Sequence, residues 1–319
     1  MRITSLLMVT ALTLAACGDD ESSSDTTVSA PTEPAVTEPV VSESPVTEPA
    51  VTEPAVTEPA VTEPPLADTT VSEPPPDPAA ADDAECAPIA IDTGSVTTEG
   101  ERCDPAGAAD VVSPAALVLN GCGGYESDGE LTAATVRALA AKGVVGVRVD
   151  WLGAVPAPPD TYCEAGPVVG AVDPLLEGLV DAVDRLRGEP GIDPDRIGVA
   201  AYSLGAIAAM AAEFGGAGLT DVAPLDLRAA ALLSYPGQLP MIPDLAAELG
   251  TPPLFLMTGS EDETAPPRDS RILAQAARRS GSTAELVIVT GQDHPWRGDA
   301  AVQAGAALAE FLGAELATG

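Results

Sequence analysis

Beyond about residue 110, apolar positions follow two alternating patterns. Short, nearly unbroken apolar runs occupy Ala115–Asn120, Val144–Val149, Ile197–Tyr202, Ala229–Ser234, Leu254–Thr258 and Leu286–Thr290. Runs of this length without polar alternation suit strands covered on both faces. Between them the period becomes helical: Leu175, Leu176, Leu179, Val183 and Leu186 share one face and predict a helix over about Leu175 to Arg187, broken by Gly188 to Pro194. Further helices are predicted over Glu130–Ala141, stopped by Gly143, over the Ala-rich stretch Leu204–Ala212, around Arg268–Arg279 and over Asp299–Leu312. Strand and helix in alternation predict an α/β fold, a mainly parallel sheet with helices on both faces. Between Ser234 and Leu254 lie 19 residues. That is too few for a large cap domain, so a minimal lid and an open cleft are expected.

The first 85 residues read differently. Arg2 precedes an apolar stretch, Ile3 to Leu14, too short for a comfortable membrane span. It ends in Leu14-Ala15-Ala16-Cys17, which resembles the lipobox of bacterial lipoproteins. The resemblance implies cleavage before Cys17 and a diacylglycerol on its thiol, which would hold the protein at the extracytoplasmic face of a bacterial membrane. A plain secretory leader with an incidental cysteine is the other reading. From Pro31 to Pro64 a unit such as Ala50-Val51-Thr52-Glu53-Pro54 recurs. Its regular prolines forbid a continuous helix, and its glutamates repel one another, so the segment is expected to be a disordered, extended tether. A ligand for a proline-recognising partner is the alternative. The expected organisation is therefore a signal peptide over 1–17, a linker over 18–85 and a globular domain over 86–319.

Charge narrows the partners. The formal net charge is −35, and 17 of the 49 acidic residues fall in the linker, which has no Lys or Arg. Such a surface repels phosphate backbones and argues against nucleic-acid binding. It also disfavours anionic substrates.

Candidate chemistry begins at Ala201-Tyr202-Ser203-Leu204-Gly205. A serine between a buried strand and a small-residue helix sits on a sharp turn that exposes its hydroxyl, with helix N-terminal amides behind it. Ala201 stands where the usual motif has glycine, and a serine that merely caps a helix is the bland alternative. His294, the single histidine of the chain, follows the last predicted strand and can act as general base to that serine. Asp262 follows the preceding strand and can fix the imidazole tautomer, although Glu261 and Glu263 flank it in the same loop. The order Ser, Asp, His, each on its own strand-end loop, gives these positions their joint weight. With the approach Asp181-Ala182-Val183-Asp184-Arg185-Leu186 through Asp193-Pro194-Asp195-Arg196-Ile197-Gly198 to the serine, the chain resembles the dienelactone-hydrolase-related branch of the α/β-hydrolases over most of residues 110–315.

That resemblance implies the α/β-hydrolase fold and a serine hydrolase acting on carboxylic esters through an acyl-serine intermediate. It also implies an oxyanion hole built from the backbone amides of Leu204 and Cys122, with Asn120-Gly121-Cys122 matching the family's His-Gly-X pattern. Asn120 replaces the histidine, so the loop needs different supporting bonds. Serine replaces the cysteine of dienelactone hydrolases proper, which moves the expected substrate from dienelactone toward general esters. Amide or polyester substrates, and a non-catalytic binding module on a surface lipoprotein, remain the alternatives. Tyr125, Trp151, Tyr202 and Trp296 fall near the cleft as candidate substrate-binding residues or as rim packing. No cofactor is implied, one histidine offers little metal-ligand chemistry, and the oligomeric state is not fixed. Setting Cys17 aside, four cysteines in an exported domain allow three pairings. Cys86–Cys103 and Cys122–Cys163 are the expected ones, with a free Cys122 thiol as the rival.

Overall fold

A nine-stranded sheet organises the molecule, with Thr69–Val71 at one edge and Glu85–Asp92 at the other. The structure is a computed structural model that describes residues 69–71, 84–92, 97–108, 111–154, 163 and 172–318. The expected leader and nearly all of the expected tether lie outside the described residues. The strands are β1 (Thr69–Val71), β2 (Glu85–Asp92), β3 (Thr97–Asp104), β4 (Ser113–Leu119), β5 (Val145–Val149), β6 (Ile192–Tyr202), β7 (Ala229–Leu233), β8 (Leu254–Gly259) and β9 (Ala284–Val289). Their order in the sheet is β1-β9-β8-β7-β6-β4-β5-β3-β2, with parallel pairing from β1 across to β5 and antiparallel pairing for β5–β3 and β3–β2. The helices are α1 (Gly124–Ser127), α2 (Gly129–Ala141), α3 (Val172–Gly188), α4 (Leu204–Glu213), α5 (Met241–Leu249), α6 (Pro267–Arg279) and α7 (Asp299–Ala317), with a 3-10 turn at Trp151–Ala154.

The unbroken apolar runs arise because alternate residues of each strand feed two cores. Leu117, Leu119, Val199, Ala201 and Leu232 pack on one face with α3, α4, α5 and α6. Ala116, Val118, Ala200, Tyr202 and Leu233 pack on the other with α2 and α7. Each fully buried leucine contributes about 1.5–3 kcal/mol, so substitutions that break either face are costly.

Several boundaries differ from the sequence expectation. Strand β6 begins at Ile192, inside the predicted break. Its register against β4 shifts between Ser113 and Ala115, and the surplus residues bulge out. The Asp193 carboxylate holds that bulge by accepting from the Asp195 amide at 3.1 Å and Arg196 Nε at 2.7 Å. The antiparallel hairpin β2–β3 was not predicted, because β3 is mostly polar and Pro88 interrupts the apolar run of β2. Cys86 and Cys103 are paired across it and form the expected disulfide. Helix α5 fills the short span after β7, where Pro243 obscures the helical period; Ile242 and Ala246 are its buried residues. Finally, Thr69–Val71 lies inside the segment expected to be tether, yet it pairs with Val287–Val289 as an edge strand. Among the described residues, no helix is long and apolar enough to cross a membrane.

Candidate active site

Ser203 ends β6 and starts α4, with φ 52° and ψ −115°. That left-handed backbone is rare for a residue with a side chain, and it turns the chain sharply enough to separate the serine from both strand and helix. Close packing enforces the turn. A Cβ on Gly205 would stand 2.6 Å from the Asn120 carbonyl oxygen, so glycine is required there. Ala201 is tolerated because it lies within β6, paired with Leu119 and Leu232, with its methyl in the core shared with α3 and α4.

The imidazole of His294 reaches this serine. Ser203 Oγ and His294 Nε2 are 3.1 Å apart. His294 Nδ1 lies 3.0 and 2.9 Å from the two carboxylate oxygens of Asp262. Asp262 is fully buried, and burial by itself pushes its carboxyl up. Hydrogen bonds from His294, the Ala265 amide and the Ser234 hydroxyl, together with the charge of His294, outweigh burial and hold it below the usual carboxylate range. An ionised carboxylate only accepts, so Nδ1 carries the proton and Nε2 is left to accept from the Ser203 hydroxyl. The side chains of the neighbouring Glu261 and Glu263 are exposed.

The two loops that supply Asp262 and His294 are locked together. Glu261 N donates to Gln292 O at 3.0 Å, and a Cβ on Gly259 would stand 2.0 Å from that same oxygen. The Asp293 carboxylate accepts the His294 amide at 2.7 Å, and Gln292 Nε2 donates to the carbonyls of Asp293 and Pro295.

Three of the four aromatic candidates are buttresses. Trp151, Tyr202 and Trp296 are only 4%, 8% and 5% exposed. Each spends its polar group on the frame of the site. Tyr202 Oη donates to His294 O at 2.9 Å, Trp151 Nε1 to Asn120 O at 3.1 Å, and Trp296 Nε1 to Ser234 Oγ at 3.0 Å. Their burial and these bonds support the rim-packing reading of the three. Tyr125 is half-buried on α1 with the Arg148 guanidinium 4.6 Å from its ring centre.

The Asn120–Gly124 loop, which carries the Cys122 amide, is braced on every side. Asn120 Nδ2 donates to Gly121 O at 2.8 Å, and Gly124 N donates to the same oxygen at 3.2 Å. These bonds fix the plane of the Gly121–Cys122 peptide. Gly121 N donates to Asp128 Oδ2 at 2.8 Å. The expected Cys122–Cys163 disulfide is present. Sequence reasoning missed Asp128 and Ser234. Burial pushes the Asp128 carboxyl up to about 6, against the opposing pull of the Gly121 amide and the charges of His294 and Arg297. Ser234, at φ 49° and fully buried, links Trp296 to Asp262. Among the described residues, no group of three or more His, Cys, Asp and Glu side chains is arranged to hold a metal ion.

No protein-family model matches the chain, and no curated protein sequence matches it. Solved structures do. A dienelactone hydrolase from Anabaena variabilis superposes with TM-score 0.52 at 20% identity, over 72% of this chain and 96% of that one. The domain has the α/β-hydrolase fold. An esterase domain from a Rhodothermus marinus protein gives TM-score 0.52 at 15% identity over 72% and 98% of the two chains. A thermostable esterase from Pseudomonas putida gives 0.51 at 17% over 74% and 82%. Within this fold the serine turn, the acid loop after β8 and the histidine loop after β9 all lie at the C-terminal edge of the parallel strands.

Proposed function

We propose that this protein is a serine hydrolase that cleaves carboxylic esters, with Ser203 as nucleophile, His294 as general base and acid, and Asp262 as the orienting carboxylate. One observation carries the reading: an unbroken hydrogen-bonded chain runs from a strained serine through one imidazole to a buried, ionised carboxylate. Ser203 Oγ attacks the ester carbonyl as His294 Nε2 takes its proton. The imidazolium so formed faces Asp262. The developing oxyanion is received by the amides of Leu204 and Cys122; the first is a helix N-terminal donor that has no partner within its helix. Collapse of the tetrahedral species releases the alcohol, protonated by His294, and leaves an acyl-serine. Water then repeats the cycle and frees the acid.

The likeness to solved esterases and dienelactone hydrolases supports esters as the substrate class, and the connection between β7 and β8 is too short to hold a large cap of its own. The test is hydrolysis of a short-to-long series of p-nitrophenyl esters by the purified protein and by Ser203→Ala. Turnover by the parent at one or more chain lengths is expected, with a loss of about a thousandfold or more in the variant. Equal turnover by the two proteins would overturn the proposal.

A further inference from the structure

We propose that Asp128 is a positioning residue for the oxyanion hole, acting by holding the Gly121 amide. The inference rests on the ester-hydrolase reading above and extends it to a carboxylate that the triad does not use.

Asp128 joins α1 to α2 and precedes a helix, where an aspartate ordinarily caps the free amides that follow it. Here its side chain makes no cap bond; it turns back and accepts the Gly121 amide at 2.8 Å. That amide belongs to the peptide immediately before the Gly121–Cys122 unit, whose N–H is the second oxyanion donor. The carbonyl of the unit is already fixed by Asn120 Nδ2 and Gly124 N. With Asp128 on the preceding N–H, two successive peptide planes are held, and the Cys122 N–H is left with one direction. The loop also has little room to drift. A Cβ on Gly121 would stand 3.1 Å from Ser203 Cβ and 3.0 Å from the Tyr202 ring. A shift large enough to relax the loop would therefore push into the nucleophile.

Asp128 is also close enough to His294 and Arg297 for their charges to act on it. A carboxylate beside a nascent oxyanion would oppose catalysis if it pointed its charge at that oxygen. Here the carboxylate is engaged by the Gly121 amide at 2.8 Å, a charge-assisted bond about twice as strong as a neutral one. Two roles are thus separable: an acceptor that sets the loop, and a charge that acts on His294. An asparagine retains the acceptor and removes the charge.

The experiment compares Asp128→Ala and Asp128→Asn with the parent, reading kcat and KM separately on the best ester of the series. It also reads hydrogen exchange at the Gly121 and Cys122 amides. We expect Asp128→Ala to lower kcat by about tenfold to a hundredfold with KM within about twofold, since a misplaced donor weakens the transition state and not ground-state binding. Asp128→Asn should recover most of that loss, and both amides should exchange faster in the alanine variant than in the asparagine one. An asparagine variant as slow as alanine would overturn the positioning role in favour of a charge effect on His294. Unchanged kcat and unchanged exchange in Asp128→Ala would overturn it outright. If the parent turned over no ester, the ester-hydrolase reading would fall, and the exchange comparison would still decide whether Asp128 holds the loop.

Discussion

At Ser203 the backbone occupies φ 52°, a region that costs a residue with a side chain on the order of 1–3 kcal/mol unless its surroundings over-determine it. They do so here: Gly205 abuts the Asn120 carbonyl, Gly121 abuts Ser203 itself, and Tyr202 ties the residue before the nucleophile to the backbone of His294. The Tyr202 bond can be removed without disturbing volume. Tyr202→Phe should cost about 1 kcal/mol in stability and lower kcat by roughly threefold to tenfold, because the His294 loop loses one of its fixed points. Chemical denaturation and steady-state kinetics check both; an unchanged kcat would show that Asp293 and Gln292 suffice to place the imidazole. At this scale the sequence was readable where chemistry was scarce. A single histidine and the order Ser, Asp, His narrowed the choice to Ser203, Asp262 and His294. It was silent where burial decides. Trp151, Tyr202 and Trp296 read equally as cleft residues or rim packing, and their burial favours the second, while Ser234 and Asp128 carry no pattern because their partners are distant backbone and side-chain atoms.

The apolar runs of β4 to β9 were legible because both faces of the sheet are covered. The outlying elements were not. Hairpin β2–β3 joins a strand interrupted by Pro88 to a mostly polar one, β1 comes from a segment whose composition reads as tether, and α5 carries a proline in its first turn. The end of α4 yields a prediction about pH. Glu213 closes that helix, and its carboxylate accepts the Leu227 amide at 3.2 Å. Burial pushes its pKa up to about 7; the charge of Asp226 adds to this, while the Leu227 amide and Arg187 oppose it. The folded state thus favours the protonated acid. Below the ordinary glutamate range both folded and unfolded chains hold that proton, and no stability depends on it. As pH rises from about 4.5 toward 7 the unfolded chain releases it first, so stability falls. Glu213→Gln cannot ionise and retains an acceptor for Leu227. Its melting temperature relative to the parent should therefore climb between about pH 5 and pH 7 and level off above that. Parallel melting curves for the two proteins over that range would contradict the assignment.

For the molecule as a whole, the sequence alone supports two further proposals. We propose that Cys17 carries a lipid anchor and that the acidic, proline-punctuated segment after it holds the hydrolase domain away from a membrane surface. The parent protein expressed in a bacterium should sediment with membranes, and Cys17→Ala should move it to the soluble fraction; equal sedimentation of both would exclude the anchor. The catalytic account rests on one property, an activated serine, and that property can be read without knowing the substrate. The most direct measurement is labelling by a fluorophosphonate probe, with the modified residue located by mass spectrometry in the parent and in His294→Gln. The account predicts a single covalent adduct on Ser203 that forms readily in the parent and at least about a hundredfold more slowly in the variant. No adduct on Ser203 in the folded parent, or equal labelling of the two proteins, would contradict it.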